Sequence, residues 1–234
     1  MRILGFIPAR GGSKTVPRKN LRPVGGLPLI RYTIEAAKRS QCLTDVVVST
    51  DDQEIAAVAE EQGVRIIMRP AELAGDTAPM IAAVRHVLSV LEPRGKRYEA
   101  VVVLQPTAPL RTAEDIDAAV GLLETTGADS VVSVYQVGDH HPARMYRLLE
   151  DRLVPYEAEP AGSLRQSLPA VYHRNGAIYA CRRHVIDEES SLIGRDLRGY
   201  VMPRERSVNI DDEYDVLVAD LLLQRLRGTR VEAG

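Results

Sequence analysis

No stretch of the 234 residues is apolar for the roughly 20 positions that a membrane span needs, which excludes a helical membrane protein. The opening Met-Arg-Ile-Leu-Gly-Phe-Ile-Pro has too short an apolar run for a signal peptide and reads instead as a strand. A strong charge of either sign is missing too. Lys+Arg number 30 against 32 Asp+Glu, a formal net charge of -2, which argues against a general nucleic-acid binder. Only two cysteines occur, Cys42 and Cys181, with no C-x-x-C and no metal spacing. Two unpaired thiols in a reducing cytoplasm are therefore expected. The adjacent His140 and His141 would face opposite ways on a strand and make a poor metal pair. Internal repeats and low-complexity tracts are absent as well.

What is present begins with residues 7 to 21, IPARGGSKTVPRKNL. A short apolar strand runs into Arg10, Gly11, Gly12, Ser13 and Lys14, then Pro17, Arg18, Lys19 and Asn20. Glycine reaches backbone angles closed to other residues, so the loop amides can turn inward around an anion. Arg10, Lys14, Arg18 and Lys19 bring cations to the same loop. The combination suits a polyphosphate better than a plain basic turn. It is neither a Walker loop, which needs G-x-x-x-x-G-K-[ST], nor a dinucleotide fingerprint, which needs G-x-G-x-x-G leading into a helix. Pro17 and Pro23 keep a helix from starting before about Leu27, which describes a long loop wrapped over a ligand.

Beyond the loop, β-branched runs alternate with helical spacing. Asp45 to Thr50, Val64 to Met68, Glu99 to Leu104 and Asp129 to Tyr135 read as strands. Helices are expected from Ile30, Ile34 and Ala37, from residues 79 to 91, and after Thr112, a natural cap. A last helix is expected over Glu213 to Arg227, with Val216, Leu223 and Leu226 as its apolar stripe. This alternation predicts a Rossmann-like α/β fold: a mainly parallel central sheet with helices on both faces. One domain is expected over residues 1–228, with a protruding arm at about 138–170 and a flexible tail over 229–234.

Further along stand RPAELAGDTA (69 to 78), LQPTAPLR (104 to 111), RQSLP (165 to 169), RNGAIY (174 to 179) and NIDDEYD (209 to 215). With the first loop, and in this order, these segments resemble the acylneuraminate cytidylyltransferases, the CMP-sialic acid synthetase family. The resemblance runs from about Ile3 to Leu223. It implies that Arg10 and Lys14 contact the triphosphate of CTP, with Gly11, Gly12, Ser13 and Asn20 around the nucleotide. Asn20 is equally a turn former. It also implies that Arg69 and Ala78 face the cytosine, although Met80 stands where some relatives carry serine. Gln105, Asn175 and Tyr179 are assigned to the sugar. Arg144, and Arg165 in an arm that crosses to a second subunit, are assigned to the sugar carboxylate. Asp211 is the implied ligand of Mg²⁺ or another divalent cation. Asn209 replaces the usual first aspartate of Asp-x-Asp and offers an amide oxygen. Asp212 and Asp215 also suit a helix start. Leu192 and Ile193 occupy positions where some sialic acid enzymes have aromatics.

The resemblance thus implies a cytoplasmic homodimer with a shared active site. It would transfer CMP from CTP to the anomeric hydroxyl of a 2-keto sugar acid, N-acetylneuraminate or a related nonulosonic acid, and release pyrophosphate. No nucleic acid or membrane partner is expected. Legionaminic or pseudaminic acid, Kdo or a phosphonate are alternative acceptors. A nucleotide-binding homologue that has lost catalysis, and a glycosyltransferase, are the readings from other classes.

Overall fold

The computed structural model describes residues 1–92, 97–157 and 168–232. The first strand, β1 (Ile3–Pro8), is buried along its whole length, as its uninterrupted apolar sequence requires. The chain then passes through the first loop and a small ribbon of β2 (Pro23–Val24) and β3 (Leu27–Pro28). Helix α1 (Leu29–Arg39) follows with Ile30, Ile34 and Ala37 buried, and Pro28 sits just ahead of the helix as its cap rather than inside its first turn. Next come β4 (Asp45–Thr50), α2 (Gln53–Glu61), β5 (Arg65–Met68), α3 (Met80–Leu91) and β6 (Ala100–Val103). Asp52 caps α2 by accepting from the amides of Glu54 and Ile55.

The second half adds α4 (Ala113–Thr126), β7 (Ser130–Gln136), β8 (Tyr146–Leu149), β9 (Arg152–Pro155), β10 (Tyr172–Arg182), β11 (Leu197–Val201) and α5 (Glu213–Glu232). Seven strands form one sheet in the order β11-β7-β10-β6-β1-β4-β5. All of its pairings are parallel except those of β10, which runs against β6 and β7. Helices α1, α2 and α4 pack on one face, and α3 with the short turn Val185–Glu189 packs on the other. The mainly parallel sheet with helices on both faces is therefore as expected from the alternating pattern.

Three differences have physical causes. Strand β10 runs antiparallel in an otherwise parallel sheet; apolar runs announce burial, not direction. Helix α5 continues to Glu232, past the expected end at Arg227, so residues 229–232 are helical where a loose tail was expected. No proline follows to stop it. Its buried stripe is Val216, Ala219 and Leu223, while Leu226 is half exposed. Between β7 and β10, β8 and β9 pair as a separate antiparallel hairpin, with Leu148, Leu149 and Leu153 exposed.

Strand order reverses at β1: the chain moves outward to β4 and β5, then returns through α3 to place β6 on the other side of β1. Loops on either side of such a switch point splay apart and leave a crevice at the carboxyl ends of the strands. The first loop leaves β1 at that position.

Helix α4 shows how sequence fixes an anchor under this edge. Thr112 and Asp115 form a reciprocal capping box, and the Asp115 carboxylate also accepts from Arg206 at 2.5 Å and Tyr200 at 2.9 Å. Burial alone would raise the Asp115 carboxyl, but the bonds from Arg206, the Thr112 amide and Tyr200 outweigh it and hold the group below its ordinary 3.8. A folded-state value below the unfolded one stabilises the fold above the unfolded value, and that contribution is lost as pH falls through the lower folded value. Asp115→Ala should therefore cost about 2 to 3 kcal/mol in urea unfolding at pH 7, discounted for the partly exposed Arg206. The difference from wild type should shrink toward pH 3.

Candidate active site

Backbone bonds bind the first loop to its neighbours: the Ala9 amide donates to Ser49 O at 2.9 Å, and the Gly11 amide to Asp51 Oδ1 at 3.0 Å. Gly11 and Gly12 do not adopt left-handed angles, and the Gly11 amide is engaged by Asp51. Gly11 is needed for a close approach instead: a Cβ there would stand 2.6 Å from Asp52 Oδ2. Arg10 and Lys14 both reach Asp76, at 2.7 Å each, on the far rim of the crevice. The other two loop cations part ways. Arg18 turns to Asp52 and Glu54, whereas Lys19 donates to Ile210 O at 2.7 Å and lies 3.7 Å from Asp211 Oδ1. Asn20 lines the crevice and donates to Arg10 O at 2.9 Å, so it also braces the loop.

A cleft of about 240 Å³ opens here, lined by Arg10, Gly12, Ser13, Lys19, Asn20, Arg69, Met80, Gln105 and Thr107 among others. Arg69 is buried and uses three of its five N–H groups on Ser49 Oγ, Ser49 O and Leu73 O, leaving two for a ligand. Burial lowers its affinity for its proton. Ala78 lies in the turn before α3 with its amide on Gly75 O, and Met80 forms the wall there instead. The Thr107 hydroxyl is buried without a partner among the described residues.

Gln105 also faces a second, larger cavity of about 770 Å³, walled by β10, the 207–211 segment and the start of α5. Tyr179 lines it, as does Asn175, but the two are not simple same-face neighbours. Pairing with β7 shifts between Arg174 and Tyr179, breaking the strict alternation that would put residues four apart on one strand face. Asn175 is 2% exposed and its amide is saturated: Oδ1 accepts from Ser133 Oγ and the Ala177 amide, and Nδ2 donates to Ser207 Oγ and Met202 Sδ. It holds the cavity wall in place rather than offering a free hydrogen bond. Gly176 has φ +72, and a Cβ there would stand 3.2 Å from both Gln105 Oε1 and Asn209 Oδ1. Arg144 pairs with Asp139 at 3.2 Å outside the cavity lining. Arg165 lies outside the described residues. Leu192 packs against the α3 side of the sheet, away from this cavity.

The acidic segment lines the larger cavity. Asp211 is 75% exposed in its side chain, and Asp212 and Asp215 cap α5 by exchanging amide-to-carboxylate bonds. Asn209 Nδ2 donates to Asp211 Oδ2 at 2.6 Å, so its oxygen points away from that carboxylate, buried and without a protein donor among the described residues. Through that bond the Asn209 amide braces the Asp211 carboxylate. Among the described residues no group of three or more His, Cys, Asp or Glu could cage a metal. One exposed carboxylate beside an anion-binding crevice fits Mg²⁺, which takes one or two carboxylates and completes its shell with phosphates and water.

The sequence profile described as Cytidylyltransferase matches residues 4–191. The chain belongs to that family. This bears out the resemblance carried by the first loop and the later segments. Among curated cytidylyltransferases, the N-acylneuraminate cytidylyltransferase of Escherichia coli O18:K1:H7 is 34% identical over 234 residues. That match takes in 99% of this chain but 54% of the relative, so the chain spans about half its length. The CMP-N,N'-diacetyllegionaminic acid synthase of Legionella pneumophila is also 34% identical, covering 96% of this chain and 97% of that protein. The pseudaminic acid cytidylyltransferase of Campylobacter jejuni is 31% identical over 95% and 96%. A solved CMP:2-keto-3-deoxy-manno-octonic acid synthetase complexed with CTP superposes with a TM-score of 0.69, covering all of both chains at 17% identity. At that identity it shows the fold alone.

One part of the cytidylyltransferase site escaped the motif reading. Asp76 is a carboxylate within RPAELAGDTA, and nothing in one sequence links it to Arg10 and Lys14 across the crevice. Arg111 is 3% exposed and donates through NH1 to Ala177 O at 2.7 Å and Gln105 O at 3.2 Å, tying the loop after β6 to β10. Burial pulls its guanidinium down to about 9, still charged at neutral pH. The Asp76 carboxyl is held below its usual range by hydrogen bonds from Lys14 and then Arg10, and so competes with any anion for both. Asp76→Asn should tighten binding of inorganic tripolyphosphate by about 2- to 10-fold at low salt in calorimetry. Equal or weaker binding would remove Asp76 as a competitor.

Proposed function

We propose that this cytidylyltransferase transfers CMP from CTP to the anomeric hydroxyl of a 2-keto sugar acid, N-acetylneuraminate or a related nonulosonic acid, and releases pyrophosphate. The observation that carries it is the meeting of two cavities at Gln105, one cationic under the first loop and one larger and polar against β10. A triphosphate in the first would have its reacting end beside an acceptor in the second. Enforced proximity of this kind supplies much of the rate in transfer to phosphorus. The names of the relatives support the acceptor class: they act on N-acylneuraminate, diacetyllegionaminic acid and pseudaminic acid.

Arg10 and Lys14 offset the charge that builds on departing pyrophosphate once Asp76 yields them. Lys19, tied to Ile210 O, places one more positive charge between loop and acidic segment. Gly12, Ser13 and Asn20 frame the phosphates; Arg69, beside Ala78 and Met80, meets the base with its two free N–H groups. Asp211 holds a divalent cation, Mg²⁺ by its hard-oxygen chemistry, which supplies Lewis-acid neutralisation of the phosphates when bound. Gln105 and Tyr179 face the acceptor, with Asn175 fixing their wall. The enzyme acts as a homodimer in the cytoplasm, the arm of one protomer bringing Arg165 to the partner's acceptor. The exposed leucines of the β8–β9 hairpin favour such a contact. Among the described residues no helix is long and apolar enough to cross a membrane, and Cys42 and Cys181 are unpaired.

With a panel of 2-keto acids, pyrophosphate should appear only when CTP and an acceptor are both present; release without an acceptor, or with none of the panel, would refute the reading. Lys14→Ala should lower turnover strongly in a folded protein. Asp211→Ala should remove most activity, about 100-fold or more, because metal neutralisation of phosphoryl charge is worth several kcal/mol. A Mg²⁺ titration at saturating CTP checks this, and an unchanged metal requirement in Asp211→Ala would place the ion elsewhere. Mixing Arg165→Ala with Lys14→Ala protomers should restore part of the activity, since one mixed site then carries both residues. No recovery after confirmed subunit exchange would rule out action of Arg165 across the interface.

A further inference from the structure

Deepening that reading, and resting on it, we infer that Arg174 binds the carboxylate of the acceptor within its own protomer. The larger cavity carries acidic groups on its wall, Asp211 and Asp215, and among the described residues that line it Arg174 is the sole lysine or arginine. A 2-keto sugar acid entering such a cavity meets like charge unless a fixed cation receives its carboxylate.

Arg174 is built for that work. Its side chain is exposed and makes no hydrogen bond or ion pair among the described residues, although two carboxylates share the cavity. Its backbone is held firmly: it is the last residue of β10 in register with β7, opposite Val134, before the pairing shifts. The next residue, Asn175, is buried with its whole amide engaged. The held backbone places an uncommitted guanidinium head at the cavity wall, and its planar fork matches a carboxylate. Arg144, by contrast, is occupied by Asp139 and does not line the cavity. A cation provided in cis would fix the acid group against β10 and point the rest of the acceptor toward Gln105 and Asp211 on the same cavity.

The test measures steady-state pyrophosphate release at saturating CTP and Mg²⁺ with the best 2-keto acid of the panel, then with the same acceptor as its carboxamide. Arg174→Ala should raise the KM for the acid by about 10- to 100-fold, the scale of a charge-assisted hydrogen bond, with a smaller change in kcat. The KM for CTP should stay as in wild type, which also reports an intact fold for this exposed position. Arg174→Lys should recover part of the loss, since it restores the charge but not the fork. With the carboxamide, wild type and Arg174→Ala should differ little, because the pair is already broken. An unchanged acceptor KM in Arg174→Ala, or an equal loss with acid and carboxamide, would overturn the assignment while leaving CMP transfer intact. Failure of the wild type with every 2-keto acid would instead overturn the functional reading, and this assignment with it.

Discussion

Much of the site hangs on one residue, Ile210. Its side chain is fully buried among Val16, Leu29 and Val216, its amide donates to Thr107 O at 2.8 Å, and its carbonyl accepts from Lys19 at 2.7 Å. These contacts join the first loop, the loop after β6 and the approach to α5 at a single point. Asn209 and Asp211 flank it, so their positions follow from packing rather than from any charge they carry. A buried apolar anchor between two polar neighbours resists the repulsion that a rim of carboxylates would otherwise suffer. It holds the acidic segment at the wall of the larger cavity before any cation arrives.

The polar groups around this anchor divide into those already used by the protein and those held in reserve. Asn175 has no unused donor or acceptor, and Arg111 commits one nitrogen to two carbonyls while its Nε and other terminal nitrogen have no partner. Such groups make the wall stiff. The Thr107 hydroxyl and the oxygen of Asn209 have no protein partner among the described residues, and there the Arg10 and Lys14 side chains are held by an exchangeable surface carboxylate. Buried polar atoms without partners cost about 1–3 kcal/mol each, so their persistence beside a cavity points to a ligand that completes them.

The fold was readable because burial on both faces writes itself into sequence as unbroken runs such as Ala100–Val103, and helices as Ile30, Ile34 and Ala37. The capping role of Thr112 was equally plain, since its partner lies three residues away. Direction and irregularity were not. Nothing local distinguishes an antiparallel β10 from a parallel one, and the shift after Arg174 depends on side chains from Ser133 and Ser207, distant in sequence. The same limit applied to the site. First-loop cations were visible as a cluster, but which of them reach the crevice was decided by Asp52, Glu54 and Asp76 elsewhere in the chain. The amide at position 209 suggested a weaker metal ligand, and its geometry also makes it a brace for Asp211.

The reversed direction of β10 has a consequence for how such an enzyme diversifies. Because β7 runs toward the site edge and β10 runs back from it, the described residues between them emerge at that edge. Residues there can be lengthened or exchanged without altering the register of β1, β4 or β6, which carry the first loop and its neighbours. One half of the molecule can stay constant over generations while the other is retailored, an economy that a uniformly parallel sheet, with its connections crossing over the faces, would not allow.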